Sequence, residues 1–132
     1  MLLAAGLLGA CAYGSAQSAY ERGDKTEALR QFRIAAGEGH REAMYQLAMM
    51  YRYGDGIPVR MSSAALWFHE AHWRHPAAAY ELAIIYEQGL VRGTEPDLER
   101  AVHFYRHAAD RGHEGAQAAL VRLGVAEPEG SG

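Results

Sequence analysis

The sequence predicts an all-α fold, a short stack of antiparallel helix pairs, on three observations. A stretch from Ala43 to Gly54 returns between Ala78 and Gly89, with Tyr45/Tyr80, Leu47/Leu82, Ala48/Ala83, Tyr51/Tyr86 and Gly54/Gly89 identical at one constant offset. A second pattern repeats beside it: Ala28, Phe32 and Ala35 correspond to Ala64, Phe68 and Ala71, then to Ala101, Tyr105 and Ala108. Both patterns space their apolar residues three and four apart, on one helical face, and glycine-bearing turns separate them. Self-similarity at a period of this size marks stacked supersecondary units, each burying its apolar face against the next.

Taken in order, the chain opens on an apolar run. Residues 1–10 are Met, Leu, Ala and Gly only, and the first charged residue is Glu21. A bilayer-spanning helix needs about 20 apolar residues, so the run is too short to span but suits the centre of a secretory signal peptide. The stretch from Leu8 to Cys11 resembles the bacterial lipobox, in which the cysteine is lipidated and becomes the new N-terminus. Cys11 is the single cysteine, so no internal disulfide can form. Nothing basic precedes Arg22, so either the natural start lies upstream or this is an apolar helix packing on the next one. The expected organisation is a leader at 1–11, a repeat domain at 12–125 and a disordered tail at 126–132, which from Glu127 on has no apolar residue to bury. On this reading the protein is periplasmic or anchored to the outer membrane through Cys11; without export it is cytoplasmic.

About six helices are expected. Gly23 and Asp24 split the segment from Ser15 to Ala36 into two helix signals, with Asp24 as N-cap and Glu27 completing a capping-box-like arrangement. The first A-type repeat ends at Gly54, where a glycine suits positive φ, and Pro58 keeps the helix from continuing. Ser62 or Ser63 is expected to cap the following B helix. The second copy runs through Gly89 and Pro96, with Thr94 or Asp97 as cap. A third A-type helix, 114–123, carries Leu120 as the counterpart of Leu47 and Leu82 and is expected to close the stack.

These residues resemble the Sel1-like repeat, a relative of the tetratricopeptide family. Ala43, Leu47, Tyr51, Gly54, Gly56, Ala64, Trp67, Phe68 and Ala71 fall on the family pattern, and Gly39-His40 and Gly112-His113 fall on its unit ends. Ala48 stands where the pattern has glycine, and Ile57 where it has valine. The likeness covers about residues 13 to 124. It implies a short right-handed α-solenoid that scaffolds protein–protein contacts. In the related tetratricopeptide pattern the inner face of each A helix lines a concave groove. That face here is Tyr45, Met49, Arg52 and Tyr53, then Tyr80, Ile84, Glu87 and Gln88, an apolar and amphipathic row with balanced charge.

Composition and motifs offer little else. A formal charge of −3 and a lone lysine, Lys25, argue against nucleic acid as partner. The pair His103/His107 and the trio His69/His72/His75 have spacings that can share a metal, yet no carboxylate or cysteine converges on them in sequence, and no metal or cofactor is expected. No nucleophile, base and orienting group form a constellation, so an enzyme is not expected. Two functions follow. The leading one is a non-catalytic interaction module, an envelope-associated scaffold or adaptor that holds a peptide or protein in its groove and works as a monomer; within that class, an immunity protein against a secreted toxin is the alternative. The other class is a histidine-dependent metal-binding factor or hydrolytic enzyme.

Overall fold

The computed structural model describes residues 2–128, and side chains from Gly6 onward. Among the described residues there are seven helices and no strand: α1 (Leu2–Glu21), α2 (Lys25–Gly37), α3 (Arg41–Tyr53), α4 (Met61–Ala71), α5 (Pro76–Gln88), α6 (Leu98–Ala109) and α7 (Glu114–Arg122). They fall into two compact units, Met1–Ala71 and His72–Gly132. The expected tail lies mostly outside the described residues; 126–128 are exposed and irregular.

In the first unit, consecutive helices pack as α1 with α2 and α3 with α4, joined through α2 and α3. Helix α1 extends the first of the two helix signals expected before Ala36 back to Leu2. It runs unbroken for 20 residues, so the expected leader boundary at 11/12 falls inside it. No helix among the described residues is long and apolar enough to cross a membrane. Gly9, Ala12, Ala16 and Ala19 are buried along one side of α1, a 3-4-3 spacing that makes a helical face. At Gly9 an added Cβ would sit 3.2 Å from Glu38 Cβ, so the glycine allows close approach there. The helix stops at Gly23, whose φ is +80°, and Asp24 caps α2 by accepting from the Glu27 N–H at 3.1 Å. The Glu27 carboxylate turns to Arg30 and Gln31 rather than completing a capping box.

The core of this unit is alanine filled in by a few large side chains. Ala28, Ala35, Ala43, Ala48, Ala64 and Ala71 are each 0% exposed, as are Leu47 and Phe68. Fully burying a leucine or phenylalanine contributes about 1.5–3 kcal/mol, and the alanines let the helix axes come close enough to do it. Helix α3 has Glu42 in its first turn and Arg52 in its last, matching the helix dipole. It ends at Gly54 with φ +66°, as the sequence predicts. Helix α4 begins at Met61, so Ser62 and Ser63 lie inside its first turn and do not cap it. The chain enters α4 held instead by the Arg60 N–H donating to the Tyr51 carbonyl at 2.8 Å.

In the second unit α5 packs on α6 and α6 on α7. Pro76 occupies the start of α5, where its missing N–H costs nothing. Asp97, rather than Thr94, caps α6, accepting from the Arg100 N–H at 3.0 Å; the Thr94 hydroxyl donates back to the Val91 carbonyl. Leu82, Ala78, Ala79, Ala83, Ala101 and Ala108 are 0% exposed, with Tyr105 at 1%.

One packing geometry recurs and shows that α1 and α2 are a repeat of the same design. Tyr13 meets Phe32 at 6.0 Å and 55°, Tyr45 meets Phe68 at 5.9 Å and 52°, and Tyr80 meets Tyr105 at 5.8 Å and 54°. Each is a tilted ring pair between an A helix and its following B helix, an arrangement the aromatic quadrupole favours. The histidines ending the units also recur. His40 and His113 use Nδ1 to accept from the N–H groups of Ala43 and Ala116, at 3.2 Å and 3.1 Å. Their rings stack on Tyr13 and Tyr80 at 4.3 Å and 4.4 Å.

Candidate functional site

Among the described residues, each unit carries an open groove lined by residues of the A-helix face that the sequence singles out. In the second unit a cavity of about 490 Å³ lies between α5 and α7. All four residues expected from this unit, Tyr80, Ile84, Glu87 and Gln88, line it. They recur three or four apart along α5, so one helical face delivers them together. The opposite wall is Gly115, Ala118, Ala119 and Arg122 of α7, with Tyr105 of α6 at the base. The wall stays low because α7 carries Ala118 where α3 and α5 carry Tyr45 and Tyr80, counting from the histidine caps. Gly115 matters too: a Cβ there would sit 3.0 Å from the His113 ring and 3.3 Å from Tyr80. The glycine leaves the Tyr80–His113 stack undisturbed.

The polar end of this groove is a closed network. Arg122 grips the Glu87 carboxylate with two nitrogens, at 2.8 Å and 2.9 Å, and the Tyr105 hydroxyl donates to the same carboxylate. The hydrogen bond from Arg122 is the main reason the Glu87 carboxyl titrates below its ordinary range, with Tyr105 adding to it against the opposing effect of burial. Tyr105 is shifted upward, first by burial and then by Glu87. Because Glu87 is depressed in the folded state, its contribution is present above the unfolded carboxyl pKa and is lost as pH falls through the folded value. Neither Arg122 nor Tyr105 stood out in sequence as a groove residue. Tyr105 reads there as core, and its ring is core; only the hydroxyl reaches the groove. Arg122 occupies the position in α7 that Met49 and Ile84 hold in their helices, and that register could have found it.

In the first unit a cavity of about 540 Å³ is lined by Tyr20 of α1, by Gln46, Met49, Met50 and Tyr53 of α3, and by Gly54, Asp55 and Gly56 after it. Of the four residues expected from this unit, Met49 and Tyr53 line this cavity and Tyr45 and Arg52 are not among its lining residues. Tyr45 is half-buried against Phe68, and burial is the first cause of its raised pKa. The Arg52 guanidinium lies 5.0 Å from the Tyr53 ring centre, close enough for a cation–π contact. Here too a carboxylate holds a tyrosine hydroxyl and a cation. Asp55 accepts from Tyr20 and pairs with Lys25 at 3.2 Å, and Lys25 Nζ sits 3.1 Å over the Tyr20 ring. The Tyr20 hydrogen bond leads in lowering the Asp55 pKa.

The remaining candidates for chemistry are not gathered into a site. Among the described residues no group of three or more histidine, cysteine or acidic side chains is placed to hold a metal ion. Cys11 is exposed on α1, beside Leu7 and Leu8, which are 68% and 53% exposed.

The Sel1 repeat family model matches residues 41–71 and 76–113, which are α3 with α4 and α5 with α6 through the histidine that caps α7. The chain is 31% identical over 108 residues to the chitin synthase regulator SKT5 of Saccharomyces cerevisiae, covering 76% of this chain and 16% of that protein. It is 50% identical over 40 residues to the exopolysaccharide production negative regulator of Rhizobium meliloti, covering 30% of this chain and 15% of that one. The chain therefore spans about a sixth of the length of these curated relatives. Among solved structures, a Sel1 repeat protein from Oxalobacter formigenes superposes with a TM-score of 0.76 at 29% identity, over 92% of this chain and 95% of that one. A protective antigen of uropathogenic Escherichia coli with an SLR fold superposes at 0.71 and 24% identity, over 98% of this chain and 27% of that one, a likeness of fold. With both central helix pairs matched and an α-solenoid of the same kind overlaying nearly the whole chain, the protein belongs to the Sel1 repeat family.

Proposed function

We propose that this chain is a non-catalytic adaptor that holds a segment of a partner protein against its A-helix faces. Sel1 repeats generally mediate protein–protein interaction, and the two relatives named as regulators fit an adaptor whose effect is exerted through another protein. The observation that carries the reading is the groove of the second unit. Tyr80 and Ile84 face a low wall of glycine and alanine, and the adjacent carboxylate is already neutralised by Arg122 and Tyr105. Such a surface offers apolar area and one rigid aromatic without an unpaired charge. It suits an extended or amphipathic segment with an apolar anchor, since aromatic anchors supply much of the energy at interfaces. With charge balanced in the groove, little electrostatic steering and a weak salt dependence are expected.

The test is affinity capture with the full chain, followed by affinity measurement on the partner recovered. Tyr80→Ala is expected to weaken binding by about 1–3 kcal/mol while leaving the helical circular dichroism intact. Ile84→Glu should do the same by placing a charge in the apolar part. Binding that survives both, yet is abolished by Arg106→Glu on α6, means that the groove is the wrong face.

Envelope attachment belongs to the same proposal and rests on the apolar run before Cys11 together with the exposure of that thiol and of Leu7 and Leu8. A chain with its natural start is expected to be processed before Cys11, and Cys11→Ser is expected to release it from the membrane fraction. Unprocessed protein in the cytosol would remove the envelope role and leave the adaptor reading standing.

A further inference from the structure

The junction before α5 is built unlike the two others that lead into an A helix. Before α3 and α7 a glycine at positive φ, Gly39 at +87° and Gly112 at +86°, precedes the capping histidine. Before α5 Arg74 takes the place of that glycine, and Trp73 precedes it where the other junctions have Glu38 and Arg111. One side chain therefore stands where the other junctions show bare backbone, and an aromatic ring stands where they carry a charged residue. Trp73 remains 61% exposed, although it lies against the His107 ring at 5.3 Å and the His72 ring at 4.6 Å. His72 is 2% exposed and meets His107 and Phe104 edge-on at 5.0 Å and 5.2 Å. The tryptophan is thus propped on a rigid ring cluster with its outer side left to solvent.

Arg74 follows Trp73 in the chain and Arg111 reaches the His107 ring, with Asp110 the acidic group that acts on it, in a chain whose formal net charge is −3. His103, His107 and Arg111 follow one another four apart along α6 and just beyond it. Arg111 Nη1 lies 2.8 Å from His107 Nδ1 and also reaches the His107 carbonyl. Among the described residues, neither Arg111 nor Arg74 has a carboxylate partner. The groups acting on His107 are Arg111, His72 and His103, which disfavour its charged form together with the larger effect of burial, and Asp110, which favours it.

We propose that this face is a second docking surface, separate from the groove, for an acidic segment of a partner polypeptide. Its carboxylates meet Arg111 and Arg74, and an adjoining apolar side chain packs on Trp73. Tryptophan and arginine are the residues most often found at energetic centres of interfaces, and a guanidinium without a carboxylate is the complementary group for an acidic chain. A sign follows for pH. In the free protein burial, and then Arg111, His72 and His103, disfavour the charged form of His107 against the opposing effect of Asp110. A carboxylate brought beside it favours the imidazolium, so the complex binds protons more tightly than the free protein. Binding therefore takes up a proton and tightens as pH falls into the histidine range.

Short fluorescein-labelled poly-L-glutamate is the probe, titrated with the full chain by anisotropy at about pH 6 and about pH 8. Affinity is expected to be about fivefold higher at the lower pH. Trp73→Ala and Arg111→Ala, both at exposed positions, are each expected to weaken it about tenfold. His107→Gln should flatten the pH dependence, and Tyr80→Ala in the groove should change nothing. Binding that ignores pH, or that is equal in wild type and Arg111→Ala, overturns the proposal. Phosphatidylglycerol vesicles bound through Trp73 and Arg111 while poly-L-glutamate is not would also overturn it, because the surface would then face a membrane.

Discussion

Leu82→Ala is expected to lower the free energy of unfolding by about 2–5 kcal/mol. The side chain is 0% exposed among alanines that are equally buried, Ala78, Ala79 and Ala83 on its own helix and Ala101 and Ala108 on α6. A packed core relaxes only partially around a lost side chain. The truncation therefore loses the transfer free energy and leaves most of a cavity behind. In a repeat domain each unit is stabilised by its neighbours, so the loss extends to α6 and α7, which pack on α5 in sequence. Leu98→Ala provides the contrast with identical chemistry: Leu98 is 55% exposed at the start of α6, and a change within about 0.5 kcal/mol is expected there. Urea unfolding of the two variants checks this. Near-equal midpoints would mean that Leu82 does not sit in the core and that the register of α5 is wrong. Leu47, buried to the same degree in the first unit, should behave like Leu82.

What the sequence makes legible here is what repeats. Tyr45/Tyr80, Leu47/Leu82 and Gly54/Gly89 announce two A helices because the same local solution appears twice, and the three B-helix patterns do likewise. The groove residues of α5 follow from register alone, since one helical face carries Tyr80, Ile84 and Glu87 wherever the helix packs. Less legible are features that depend on a partner distant in the chain. Arg122 becomes a groove residue only when α7 is set beside α5, and Tyr105 is a core ring until its hydroxyl is seen on Glu87. Helix α1 is hard to read for a different reason. It has Ser15 and Ala19 where α3 has Leu47 and Tyr51, so the repeat pattern is erased, and an uncharged stretch of Leu, Ala and Gly suits a leader as well as a helix packed through small residues. The surviving trace is Tyr13, which keeps both its tilted contact with a B-helix ring and its stack on a capping histidine. The histidine caps themselves escape a propensity argument because Ser, Thr, Asp and Asn dominate that position. At α4 the same argument points to Ser62 and Ser63, whereas the helix starts one residue before them.

Gly89→Ala is the other substitution with a large expected effect, because two costs coincide at one residue. Gly89 ends α5 with φ at +61°, a conformation that disfavours any Cβ by about 1–2 kcal/mol. An added Cβ would also lie 2.8 Å from the Pro96 nitrogen and 2.9 Å from the Glu95 carbonyl carbon. These are backbone atoms and cannot swing aside as a side chain can. Nor is the loop free to retreat, since the Asp97 N–H donates to the Tyr86 carbonyl at 2.8 Å and the Leu90 N–H to the Ile85 carbonyl at 3.1 Å. A total of about 2–4 kcal/mol is expected, in the range where steric and backbone effects add. Gly93, four residues on, separates the two causes: its φ is +83°, but nothing lies within 4 Å of its added Cβ. Gly93→Ala should therefore show the backbone term alone, about 1–2 kcal/mol. Equal losses in the two variants would mean that the contact with residues 95 and 96 contributes nothing. The larger loss has a functional correlate, because Glu87 and Gln88 form the end of the groove immediately before Gly89. Moving the 89–97 loop would shift the carboxylate that Arg122 and Tyr105 hold, so Gly89→Ala is expected to weaken groove binding along with the fold, while Gly93→Ala leaves binding unchanged.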